Sequence, residues 1–91
     1  MIEAKNGRLV VNGHELPPTD VEILKHLSSK GELKVTELML LMGKIFPQYI
    51  SSRVSILASS QLGVVVKKRR GTYEIVPELQ EELKEILEKV K

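Results

Sequence analysis

The chain has no cysteine. That excludes a disulfide, a thiolate nucleophile and a cysteine-bound metal. Its only histidines are His14 and His26, and no Asp, Glu or His cluster at metal-ligand spacing accompanies them. No serine is set beside a histidine or lysine in a nucleophile–base arrangement. No glycine-rich loop has the spacing that cradles phosphate, and all six glycines have turn or cap readings. Catalysis, a metal and a cofactor are therefore not expected. Three aromatic residues in 91 leave little material for an effector pocket. The apolar runs are a handful of residues long, far below the ~20 needed to span a bilayer. Residues 1–5 lack the charged-then-apolar layout of a signal peptide. A cytoplasmic protein with no membrane association is the expectation.

Carboxylates are missing from one long stretch. From Leu38 to Tyr73 there is no Asp or Glu, although the chain has twelve. The same stretch carries Lys44, Arg53, Lys67, Lys68, Arg69 and Arg70. The last fourteen residues are the reverse, with five Glu against three Lys. The formal net charge of +2 is a sum over these opposed regions. A basic region of this kind usually faces phosphate or an acidic partner.

What is present reads as one small domain. Apolar residues make up 42% and charged residues 29%, close to ordinary globular averages. Ninety-one residues suit a single domain, whose modest core gains from a partner subunit. Asn6-Gly7 and Asn12-Gly13 are two-residue hairpin signals. They predict a small sheet from Ile2 to Lys5, Arg8 to Val11 and His14 to Leu16, which Pro17-Pro18 then breaks. Thr19-Asp20-Val21-Glu22 has the pattern of a capping box opening a first helix to about Ser28. Ile23, Leu24 and Leu27 form its apolar stripe, and Gly31 lies just past its end.

Leu33-Lys34-Val35 is short and extended. Thr36 is the next N-cap candidate, with Glu37 favourable at the positive end of the helix dipole. The helix that follows holds Leu38-Met39-Leu40-Leu41-Met42 and stops at Gly43. Leu38, Leu41 and Met42 are expected to fall together, which turns Met39 or Leu40 toward a second element or a partner. Pro47 suits the first position of a third helix, running to about Ser60. At ~100° per residue, Ile50, Val54 and Leu57 share its buried face, while Gln48, Ser52, Ser55 and Ser59 share the opposite one. Tyr49 and Ile56 sit on a shoulder, and Arg53 lies nearer the core edge.

Val64 to Lys67 is strand-like, Lys68-Arg69-Arg70-Gly71 is a turn, and Thr72 to Val76 returns as a second strand. The pair is a hairpin with a basic tip. Pro77 starts the last helix. In it Leu79, Leu83, Ile86 and Val90 are spaced 4, 3, 4, with Leu87 beside them, an a/d seam about two heptads long. A helix this short is not stable alone, so the seam buries against the body or against a twin. The twin is favoured, which makes Leu79, Leu83, Ile86, Leu87 and Val90 the expected homodimer interface.

The order is hairpin, helix, helix, turn, helix, hairpin, helix. It resembles a winged helix-turn-helix over residues 17–76. Val35-Thr36-Glu37-Leu38, Leu62-Gly63-Val64-Val65 and Gly71-Thr72-Tyr73-Glu74-Ile75 resemble the corresponding parts of compact MarR- and ArsR-type regulators, which dimerise through terminal helices. Asn6 to Leu16 followed by Pro18-Thr19-Asp20, with Arg70-Gly71-Thr72-Tyr73, is similar to OmpR/PhoB-type effector domains. The long loop those domains carry between their second and third helices is missing, and control by a receiver domain is not expected. The compact format also resembles regulators of archaea and their viruses and plasmids. The expected fold class is α+β: a single domain over 1–91, with an N-terminal hairpin (1–16), a winged-helix core (17–76) and a C-terminal amphipathic helix (77–91).

These resemblances imply double-stranded DNA as partner and transcription regulation as role. The third helix would enter the major groove. Gln48 would pair with adenine, and Ser51, Ser52 and Ser55 would reach phosphates or base edges. Tyr49 would bond a phosphate, and Arg53 would read guanine or grip backbone. Lys44, Lys67, Lys68, Arg69, Arg70 and Thr72 complete the expected contact set around the turn and the hairpin. Four to six neutralised phosphates correspond to a salt slope of roughly −4 to −5 per subunit. The alternative is a winged-helix subunit of a replication, transcription or membrane-remodelling assembly that contacts protein through surplus apolar surface at Met39, Leu40 and Ile56. The placement of the basic residues discriminates. Arg53 and the hairpin tip on one continuous face favour DNA; pairing with glutamates of the last helix favours the protein partner.

Overall fold

Both Asn-Gly pairs take positive φ at both residues: 56° and 77° at Asn6 and Gly7, 50° and 84° at Asn12 and Gly13. Two left-handed residues in succession match the right-handed twist of flanking strands, so the chain reverses in two residues each time. The computed structural model describes residues 1–90. The two turns join β1 (Ile2–Lys5), β2 (Arg8–Val11) and β3 (His14–Glu15) into an antiparallel sheet of that order. Ile2, Leu9 and Val11 point from it into the core, with Leu16 just beyond its end.

Helix α1 spans Pro18–Lys30. It begins two residues earlier than the capping-box pattern predicts. Pro17 occupies the N-cap with no side-chain cap, and Pro18 is the first helical residue. A proline ring already holds the helical φ and has no N–H to leave unbonded, so the Pro-Pro pair sets the start. Val21, Ile23, Leu24 and Leu27 are its buried face. Gly31, at φ 90°, closes it by donating its N–H to the Leu27 carbonyl at 2.8 Å.

The extended segment after α1 becomes strand β4 (Glu32–Lys34). Helix α2 (Val35–Leu41) follows without a break. Lys34, not Thr36, is its N-cap, and the Glu37 carboxylate accepts the Lys34 N–H at 2.8 Å. Leu38 and Met42 are buried, but Leu41 is not. Leu38 and Met42 lie one turn apart in the same row, whereas Leu41 stands at the end of a seven-residue helix and off that row. Met39 is half-buried and Leu40 is exposed.

Helix α3 (Pro47–Leu57) buries Ile50, Val54 and Leu57 as its phase predicts. It ends three residues before Ser60, so Ser59 lies in the loop that follows. Strands β5 (Val65–Arg69) and β6 (Thr72–Ile75) form the second hairpin. β4 pairs with the far side of β6, giving a second antiparallel sheet ordered β4-β6-β5. The β5–β6 register shifts between Lys67 and Arg69. The turn is therefore shorter than predicted, and Lys68 and Arg69 belong to the strand.

A 3₁₀ turn (Pro77–Leu79) leads into α4 (Gln80–Leu87). Here the expected dimer seam is corrected. Leu83, Leu87 and Val90 are buried within the chain's own core, and α4 packs on α1 and β1. Lys25 Nζ donates to the Val90 carbonyl at 3.3 Å, tying the end of the chain to α1. Leu79 and Ile86 are half-buried against the same core. The first sheet and α1 offer an apolar groove that a small domain cannot leave wet, and the neighbouring segment of the same chain fills it. Lys91, the last residue of the predicted helix, lies outside the described residues. The result is a compact α+β domain with a single core that gathers Ile2 at one end and Val90 at the other.

Candidate nucleic-acid interface

α3 turns a small, polar face to solvent. Gln48, Ser51, Ser52 and Ser55 are all exposed on it, and Tyr49 is exposed on its shoulder. Lys44 is exposed in the turn that leads into α3. Lys67, Lys68, Arg69 and Arg70 are exposed on the β5–β6 hairpin. These ten predicted site residues are accessible. Two others are not.

Arg53 is withdrawn from the surface. Its Nε donates to Asp20 Oδ1 at 2.7 Å and its Nη2 donates to Asp20 Oδ2 at 2.6 Å. The Asp20 side chain is 0% exposed and the Arg53 side chain 19% exposed. The expectation that Arg53 reads guanine or grips backbone is thus corrected, because its fork is already filled by a carboxylate. The hydrogen bonds that Arg53 donates to Asp20 hold the Arg53 pKa above its ordinary value, against the opposing effect of burial. Asp20 is likewise not the capping or surface residue its position in the sequence suggests. A signal for the pair was present: Arg53 is the one charge on α3 and sits between Ile50 and Val54, and a cation at a core edge needs a counter-charge. The identity of that counter-charge, 33 residues earlier, was not legible.

Thr72 is the second correction. It is 3% exposed, on the central strand of its sheet, opposite Lys34 on one side and Arg69 on the other. Its hydroxyl is covered, so it is not a surface contact.

The hairpin cations divide into two kinds. Lys68 Nζ donates to Glu32 Oε1 at 2.6 Å, and Arg69 Nη2 donates to Glu32 Oε2 at 2.5 Å. The Lys68 hydrogen bond, aided by the charges of Arg69 and Lys68, holds the Glu32 pKa below its ordinary value despite some desolvation. Glu32 in turn raises the Lys68 pKa through the same hydrogen bond and its charge, with Glu74 adding to it. Lys44, Lys67 and Arg70 make no ion pair among the described residues. Neither arrangement weighed at the sequence level occurs. Arg53 does not join the hairpin tip on one face, and the hairpin cations pair with Glu32 rather than with glutamates of α4. Sequence spacing does not point to Glu32, because only the β4-β6-β5 strand order brings it near Lys68.

Two apolar side chains stand in the open beside this surface. Leu40, at the end of α2, and Phe46, at the N-cap of α3, are each 83% exposed. Leu40 agrees with the expectation of surplus apolar surface, and Phe46 was not anticipated. No helix among the described residues is long and apolar enough to cross a membrane. Comparison with known proteins finds no matching family model, no matching curated protein and no matching solved structure.

Proposed function

We propose that this chain is a winged helix-turn-helix domain that binds double-stranded DNA and regulates transcription. In this reading α2 and α3 are the helix-turn-helix, α3 is the helix that enters the major groove, and β5–β6 is the wing. The observation that carries it is the stretch from Leu38 to Tyr73. It supplies the exposed face of α3 and the hairpin as far as Tyr73, and it contains no carboxylate. A duplex carries one negative charge per ~1.7 Å, and the exposed face of α3, which has no carboxylate, meets it without like-charge repulsion.

The division of labour follows from side-chain chemistry. Lys44, Lys67 and Arg70, the unpaired cations, meet phosphates. Gln48 is the one exposed α3 side chain with the paired donor and acceptor that match adenine in the major groove. Ser51, Ser52 and Ser55 offer single hydroxyls, suited to phosphates or to undemanding base contacts. Affinity therefore rests on phosphates, with modest sequence discrimination. Leu83, Leu87 and Val90 of the α4 seam are enclosed in the chain itself, so two copies on one duplex would not join through them.

The test is a titration of a labelled random-sequence duplex by fluorescence anisotropy at about 50 and 200 mM salt. Three phosphates neutralised by Lys44, Lys67 and Arg70 correspond to a slope of log K against log salt of roughly −2.7. Arg70→Ala lowers the steepness by about 1 for every sequence, whereas Gln48→Ala changes the ranking of sequences. Affinity that is the same at both salt concentrations overturns the reading.

A second reading has an observation of its own. Leu40 and Phe46 expose apolar surface of the kind that marks protein contacts. A winged-helix interaction subunit would use these side chains for a protein partner. Absence of duplex binding at either salt concentration favours it.

A further inference from the structure

Lys68 and Arg69 are consecutive residues, yet both reach one carboxylate. In a regular strand, neighbours point to opposite faces. The register shift between Lys67 and Arg69 removes that alternation, since a bulge re-aims the side chains around it. The two cations also reach across the sheet. β5 and β4 lie on either side of β6, two strand spacings or about 10 Å apart. Only long side chains close that gap, and here they end on separate oxygens of Glu32. The geometry is that of an anion held by two donors, one per oxygen. A phosphodiester presents the same pair of oxygens.

We propose that Lys68 and Arg69 form a phosphate-binding site whose resident occupant is the Glu32 carboxylate, so that Glu32 sets the affinity of the hairpin for polyanions. The proposal rests on the DNA-binding reading for its natural ligand, but the site is defined by its own geometry. A backbone phosphate enters by displacing Glu32, and the two cations then exchange one anion for another. Their net contribution to binding is small while Glu32 is charged. The wild-type chain therefore binds as though it had three wing and turn cations, Lys44, Lys67 and Arg70, although five are exposed. Glu32 acts as an internal competitor that keeps non-specific binding low.

Glu32→Gln tests this, because it keeps the shape and removes the charge. Glu3→Gln, on β1, makes the same charge change away from the hairpin. Duplex affinity at low salt is expected to rise about 2- to 5-fold for each released cation, the range that exposed ion pairs show. The salt slope is expected to steepen from roughly −2.7 to roughly −4.5, as two further phosphates are neutralised. Glu3→Gln leaves the slope unchanged, and Glu32→Gln has no effect in a Lys68→Ala, Arg69→Ala background. Heparin chromatography of the same variants runs in parallel, with Glu32→Gln expected to elute at higher salt than both wild type and Glu3→Gln. Thermal midpoints of all variants report whether the domain is intact. If Glu32→Gln matches wild type on heparin, or binds polyanion more weakly, the inference is overturned. If it shifts on heparin while no variant binds duplex, the site stands and the DNA-binding reading falls.

Discussion

The Arg53 guanidinium and the Asp20 carboxylate face each other in a two-pronged ion pair that locks α3 onto the first turn of α1. Asp20 is wholly enclosed, so Arg53 is its only neutralising partner among the described residues. The pair adds a polar tie between α1 and α3 to the apolar packing of Ile50, Val54 and Leu57, which leaves Gln48 and the serines facing outward.

Removing one partner strands the other. Arg53→Ala is expected to cost about 3–5 kcal/mol of stability, because it leaves a buried carboxylate uncompensated. Replacing both partners with apolar residues of similar size, as in Asp20→Leu with Arg53→Met, should recover most of that loss. Urea denaturation of the three variants measures it. An Arg53→Ala domain within about 1 kcal/mol of wild type would contradict this account. The same data bear on DNA, since Arg53→Ala should act on folding and not on the ranking of sequences.

Leu83 makes a similar test of the last helix. It is completely buried in the chain's own core, so Leu83→Ala should cost about 2–5 kcal/mol. The thermal midpoint of wild type and variant should stay constant over roughly a tenfold range of protein concentration. A homodimer held by this seam would instead show a midpoint that rises with concentration, because association stabilises by mass action.

The Glu32 cluster has a defined pH window. Glu32 is held below its ordinary value of 4.5, so its contribution is present above that value and lost as pH falls through the lower folded one. Lys68 is raised above its ordinary 10.5, so its contribution is present below that value and lost as pH rises through the higher folded one. Protection of the hairpin amides against hydrogen exchange, referred to the intrinsic rate, should therefore show a plateau between these limits. Glu32→Gln should abolish the acid-side decline. Because the cluster is exposed, about 0.5 M salt should flatten the plateau's edges. An acid-side decline unchanged in Glu32→Gln would place its origin elsewhere.

Phe46 and Leu40 separate surface from core. Both are mostly in solvent, so Phe46→Ser and Leu40→Ser should each change stability by no more than about 0.5 kcal/mol. Ile50→Ser, four residues on and fully buried, should cost several times more. Denaturant midpoints distinguish the outcomes. If Phe46→Ser destabilised as strongly as Ile50→Ser, Phe46 would belong to the core and not to the surface.

Local rules read well wherever one dominates. The Asn-Gly pairs, Pro47 at the start of α3 and the phase of Ile50, Val54 and Leu57 needed only nearest neighbours, and the elements stand where those signals put them. At the start of α1 two local rules compete, and a proline-fixed φ prevails over a side-chain cap. The candidate surface was legible in outline from the carboxylate-free stretch. Its division into paired and unpaired cations was not, because Asp20 and Glu32 lie outside that stretch and reach it only through packing.

The sequence by itself determined the order of the helices and hairpins, the buried faces of α1 and α3 and the polar face of α3, since these follow from residue spacing and backbone propensity. Tertiary structure alone decided where the long-range charges meet and what covers α4. An a/d seam specifies that apolar surface must be buried, not against what, and the groove between α1 and β1 supplies the answer within the same chain. An arginine at a core edge specifies that a counter-charge is needed, not which one. Only the packing of α1 on α3 brings Asp20 to Arg53, and only the order of three strands brings Glu32 under Lys68 and Arg69.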